Sequence, residues 1–212
     1  MTDVADAYLT AVDSVVDLLA RPEVTAAWES RSALAEWSVG GLAGHLAGQV
    51  FAGVNLIEAE ASTLAPIALD EHYRRVSWIG AAVDDDVSVE IRAGGDEYAD
   101  AGPQALLARV VEGRARLGGL LAETSPHRPV LVPWQGWALR RDDFLVMRMM
   151  EITVHSDDLA ASVGITAPAL PEEVLAPVLA LLTRLAVRRH GQSAVVAALT
   201  RAERAPRAIN AF

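Results

Sequence analysis

Glu151 and His155 stand four residues apart in the stretch FLVMRMMEITVHSDDL. On a helix this spacing stacks two side chains on one face, where successive turns can grip one ion. The same spacing also describes a weak, solvated surface pair. Its surroundings argue for the interior, because Phe144, Met147, Glu151 and Val154 continue one apolar stripe, and turning Glu151 to water would pull Phe144 and Met147 out with it. A buried carboxylate must protonate, pair or bind a cation. A third group comes from His45, inside the segment Trp37 to Ile57, which has no Asp, Glu, Lys or Arg and whose only other polar side chains are Ser38, Gln49 and Asn55. The plain alternative is a core histidine satisfied by one carbonyl or hydroxyl. Two imidazoles and a carboxylate match the ligand set of a zinc enzyme with one or two positions open to water or substrate, and the set also suits iron, nickel or manganese. Asp158 is either an acceptor that fixes an imidazole tautomer or a surface acid. His72, in the charged run DEHYRR, His127, between prolines, and His190, at an Arg-rich helix end, read as surface residues.

The elements that must carry these groups are helices. Val4, Tyr8, Leu9, Val12, Val15, Val16 and Leu19 share one helical face, and Arg21-Pro22 ends that segment. Ser38 suits the N-cap of a second helix running to about Ala61, which holds His45. Residues 62–102 are ambiguous: DDDVSVEIRAGGDEY alternates like a strand but spaces Val87, Ile91 and Tyr98 like a helix, the preferred reading. Pro103 opens a third long helix that Pro126 and Pro129 terminate. RPVLVPWQGW reads as an extended linker, Asp142 or Asp143 as the cap of a fourth helix, and Gly164 as its stop. Two further helices follow Pro168. The expected organisation is a bundle over residues 1–165 with a helical extension, 166–212, laid against it.

Composition supports an all-α fold, since Ala and Leu dominate and aromatics are few. The formal net charge of −10 opposes nucleic-acid binding, which needs a clustered positive surface. With no cysteine there is neither a disulfide framework nor a protein thiol nucleophile, so any thiol chemistry must borrow its sulfur. The first ten residues lack the basic start and apolar run of a signal peptide, which makes a cytoplasmic location the expectation. The uncharged segment around His45 is long enough to span a bilayer, but its glycines and polar residues point to burial within protein, so no membrane partner is expected. Gly40, Gly44 and Gly48 recur every fourth residue and permit close helix approach, either inside the bundle or between two copies in a homodimer.

The strings WSVGGLAGHLAG and FLVMRMMEITVHSDDLAASVG resemble the two signatures of the DinB/YfiT-like superfamily, specifically the N-terminal domain of mycothiol-dependent maleylpyruvate isomerase-like proteins. The resemblance covers roughly residues 5–165. It implies a four-helix bundle with a long crossover, and a divalent metal, zinc foremost, held by His45, Glu151 and His155. It further implies that the open metal position binds a low-molecular-weight thiol such as mycothiol, whose thiolate attacks a small electrophilic substrate. The chain departs from the isomerase proper, which carries a C-terminal α+β domain where this chain has only the helical stretch after Thr166. A metal-dependent thiol S-transferase or isomerase is the leading functional expectation. A non-catalytic metal-binding or partner-binding stress protein and a hydrolase using zinc-bound water are the alternatives.

Overall fold

A computed structural model describes residues 3–212; Met1 and Thr2, the first two residues of the expected bundle, lie outside the described residues. The Asp3 side chain accepts from the Ala5 backbone N–H at 3.0 Å and starts α1 (Val4–Leu19), which buries Tyr8, Ala11, Val12 and Val15. A short α2 (Pro22–Ala26) begins on Pro22, which lacks the N–H that a first turn leaves unpaired. Ser38 caps α3 (Val39–Glu58) by accepting from the Gly41 N–H at 2.8 Å.

The crossover holds β1 (Pro66–Ile67), α4 (Leu69–Arg75) and α5 (Asp86–Ala99), so the ambiguous stretch is helical. Next come α6 (Pro103–Ala122), β2 (Pro129–Val132), β3 (Trp137–Arg140) and α7 (Arg141–Val163), the last ending on Gly164 in the left-handed region (φ 71°). Finally α8 (Glu172–His190) and α9 (Gln192–Thr200) follow. Among the described residues no helix is long and apolar enough to cross a membrane.

Helices α1, α3, α6 and α7 form the bundle: α1 and α3 lie diagonally opposed, each packed on both α6 and α7. Their shared interior includes Val12, Leu46, Val50, Leu117, Phe144 and Met147, and Val174, Val178, Leu181 and Leu185 of α8 join the same core. Burying the larger aliphatic side chains contributes about 1.5–3 kcal/mol each before the opposing chain entropy.

The glycine row is used within the chain. A Cβ at Gly44 would fall on the Gly95 carbonyl oxygen and 3.1 Å from the Ala99 nitrogen, while at Gly48 it would meet the Tyr98 ring at 3.1 Å. Helix α5 therefore lies directly against the backbone of α3, a separation that only residues without side chains allow at the crossing. Gly40 faces Trp28 in the same way.

Two local expectations need correction. Instead of a linker, residues 129–140 form an antiparallel hairpin, Val130 opposite Leu139 and Val132 opposite Trp137, with β1 added in parallel to give the order β1-β3-β2. Val130 and Val132 point inwards and Leu131 outwards, and Gly136 (φ 77°) completes the turn. Helix α7 starts at Arg141 after Arg140, so Asp142 and Asp143 occupy its first turn, where their charge suits the helix dipole, and neither is the cap.

Candidate metal centre

His45, Glu151 and His155 meet between α3 and α7. The close approach of α5 bears directly on His45, since a Cβ at Gly95 would lie 3.3 Å from the His45 Cβ; the Trp37 ring stands edge-on to the imidazole with centroids 5.3 Å apart. On α7 the four-residue spacing puts His155 Nε2 3.3 Å from Glu151 Oε2, and His45 Nε2 reaches that same oxygen at 3.6 Å from across the interface. One ligand atom from each of the three lies within 4.8 Å of the others. All three side chains are mostly buried, retaining 15–19% exposure. Phe144 and Met147 are buried with them, as the stripe on α7 requires.

Hydrogen bonding sets which atoms face the centre. His155 Nδ1 is 3.0 Å from Asp158 Oδ2, a carboxylate acceptor, so Nδ1 carries the proton and Nε2 turns its lone pair towards Glu151. His45 Nε2 lies 3.4 Å from Gln49 Nε2, which can only donate, so it too presents a lone pair. Two imidazole lone pairs and a carboxylate oxygen thus converge, and the arrangement demands a positive charge: a cation, or a proton on His155.

The titration shifts agree. Burial opposes charge on Glu151, but a hydrogen bond from protonated His155, the nearby His45 ring and the Arg148 charge outweigh it and hold the carboxyl well below its usual range. Burial likewise opposes charge on His155, and hydrogen bonds to Asp158 and Glu151 prevail, pushing it up to about 9. Burial lowers His45, which Glu151 only partly counters. Ligand bonds of about 2.0–2.1 Å arranged tetrahedrally place ligand atoms about 3.3–3.4 Å apart; the two separations about the Glu151 oxygen, 3.3 and 3.6 Å, are close to this, and all three ligand atoms lie within 4.8 Å of one another.

Sequence reasoning missed the groups behind this cluster. Arg148, one turn before Glu151, is buried and donates from Nη1 to Gln49 Oε1 at 2.6 Å. Its position on the same face of α7 was the available signal. His72 is not a surface residue: it is 3% exposed, and its Nδ1 accepts from Trp137 Nε1 at 3.1 Å. Leu69, His72, Tyr73 and Val76 form the inward face of α4 and its C-cap, while Glu71 pairs outside with Arg74 and Arg75 and Asp70 pairs with Arg184 of α8. His190 is half-buried, 2.9 Å from the Asn210 carbonyl oxygen, whereas His127 is exposed as expected.

Residues 8–160 match the family described as the mycothiol maleylpyruvate isomerase N-terminal domain. The chain belongs to this family. Two solved structures share the fold: the mycothiol-dependent maleylpyruvate isomerase and a histidine-to-alanine variant of it, with TM-scores of 0.51 and 0.52. Each is 24% identical over an alignment that covers 89% of this chain and 72% of the other. No curated protein matches the chain. Within the family's matched segment lie both helices of the candidate centre, α3 and α7 up to Ala160, together with the whole crossover between them.

Proposed function

We propose that this family member is a metal-dependent enzyme that uses a low-molecular-weight thiol of the mycothiol kind for S-transfer to, or isomerisation of, a small electrophile. The observation that carries the reading is the convergence of His45 Nε2, His155 Nε2 and a Glu151 oxygen, acceptors all, at separations suited to one cation. These three residues would hold the ion, zinc by preference, and leave room for an external ligand. When bound, such an ion lowers the pKa of a coordinated thiol and polarises an electrophile as a Lewis acid. Asp158 fixes the His155 tautomer, the glycine contact of α3 with α5 sets where His45 stands, and Trp37 walls one side of its ring. The absence of cysteine means that a thiol nucleophile has to enter from solution. Mycothiol is named by the family and by both structural relatives.

Metal analysis of purified protein, with His45→Ala in parallel, followed by thermal shift with mycothiol, bacillithiol and glutathione, tests the reading. Zinc at one equivalent, lost in the variant, with a thiol that stabilises only the loaded form, is the expected result. Metal-free protein with no thiol response would support a partner-binding role instead. Thiol-independent turnover of esters or amides would support a zinc-water hydrolase.

A further inference from the structure

The Gln49 amide is held at both ends. Its Oε1 accepts from Arg148 Nη1 at 2.6 Å, and its Nε2 donates to the His45 carbonyl oxygen at 2.9 Å. Flipping the amide would set donor against guanidinium and acceptor against carbonyl, so both neighbours enforce one orientation. The backbone carbonyl of Gln49 is anchored as well, accepting from the Tyr8 hydroxyl at 2.9 Å.

An amide nitrogen has two hydrogens. One goes to the His45 carbonyl; the other is left on the side of His45 Nε2, 3.4 Å away. Should that imidazole lone pair hold a cation, as proposed above, the second N–H has no protein acceptor and borders the same ion. Arg148 carries the positive charge behind it. Arg148 as a residue is 91% buried; its guanidinium lies over the Phe144 ring at 5.6 Å, leaves Nε without a hydrogen-bond partner, and has no carboxylate within ion-pair distance among the described residues. Glu151, one turn further along α7, feels this charge and is held ionised partly by it. Once that carboxylate is shared with a bound cation, a buried guanidinium whose one side-chain acceptor is a neutral amide favours a further anion at the site.

We propose that Gln49, oriented by Arg148, selects anionic ligands at the open position of the His45, Glu151 and His155 centre by donating its second N–H to the bound atom. Arg148 is a positioning residue that acts through Gln49. The inference rests on the metal reading given above, and its test separates the two. Protein loaded with cobalt(II) is titrated with β-mercaptoethanol, following the thiolate-to-cobalt charge-transfer absorption, while metal affinity is measured separately by chelator competition.

Gln49→Leu and Arg148→Met should keep metal affinity within about threefold and weaken thiol binding about tenfold, the loss of one hydrogen bond to a charged atom. Gln49→Glu keeps the shape and the contact with Arg148 but points a carboxylate oxygen at the ligand, so it should weaken thiol binding further. Arg148→Lys, which can still donate to Gln49 Oε1, should restore most of the loss seen in Arg148→Met. Retained metal with thiol affinity within about twofold of wild type in both Gln49→Leu and Arg148→Met would overturn the proposal, since a lost hydrogen bond to an anion exceeds that. A parallel fall in metal and thiol affinity would overturn it too, showing that the pair only supports His45. Wild-type protein that takes up no cobalt would overturn the metal reading itself.

Discussion

Removing the metal should make the protein's stability fall with rising pH in a window where most proteins change little. Above pH 6.5 His45 is neutral and Glu151 is ionised, so of the three converging groups only His155 titrates. Its ordinary value is 6.5, and in the folded, metal-free protein it is raised to about 9. The folded state therefore keeps a proton that the unfolded chain releases. Stabilisation from this source is complete below pH 6.5 and is lost as pH rises through 9. The gap corresponds to about 3 kcal/mol at full effect, or a fall in Tm of roughly 10 °C for a chain of this size.

A bound cation cancels the dependence, because metal displaces that proton and its apparent affinity should strengthen up to about tenfold per pH unit across the window, offsetting the fall of the metal-free form. Calorimetric melting of chelator-treated and zinc-loaded protein at intervals from pH 6 to 9.5 checks both limbs. The Tm difference between the two forms should widen steadily, which cancels the background titration they share. Parallel curves, or a chelated form as stable at pH 9 as at pH 6.5, would refute the assignment of the proton to His155 and of the cation to the same place.

Asp158→Asn removes the charged acceptor of His155 Nδ1 and should weaken metal binding about 10- to 100-fold by isothermal titration, with little change in the helix itself. Gly44→Ala drives a methyl group onto the Gly95 carbonyl and should cost about 1–3 kcal/mol or more in chemical denaturation, because backbone cannot step aside as a side chain does. It should also loosen metal binding, since α3 carries His45 on the adjacent residue. Burial, aided by the Arg148 charge, lowers His72 from 6.5 to about 4. That group supports stability above pH 6.5 and the support is lost as pH falls towards 4, so His72→Asn should flatten the acid limb of a Tm against pH curve.

Much of the helical framework was legible because its signals are local. The Ser38 cap, Pro103 at the start of α6, Gly164 at the end of α7 and the apolar faces of α1 and α7 each depend on neighbours within a turn or two. The hairpin at 129–140 was not legible, since its four-residue strands are too short for alternation to stand out and their pairing is set by contact with β1 and the bundle. His72 was misjudged for a different reason: charged neighbours masked the three- and four-residue spacing of Leu69, His72, Tyr73 and Val76 that faces inwards. Arg148 was overlooked because its place one turn before Glu151 was the sole local signal, and its role shows only beside the Gln49 amide that accepts from it.

By itself the sequence determined that Glu151 and His155 share a helix face, that the face is apolar, and that His45 sits in a segment with no charged residue to satisfy it. These follow from helical periodicity and from the cost of burying charge. Which face meets which was decided only in three dimensions. Periodicity states that a stripe turns inwards but not what it turns towards; the Gly44 and Gly95 approach, the diagonal placement of α1 and α3, and the Arg148 clamp on Gln49 settle that, because each depends on the shapes of two surfaces far apart in the chain.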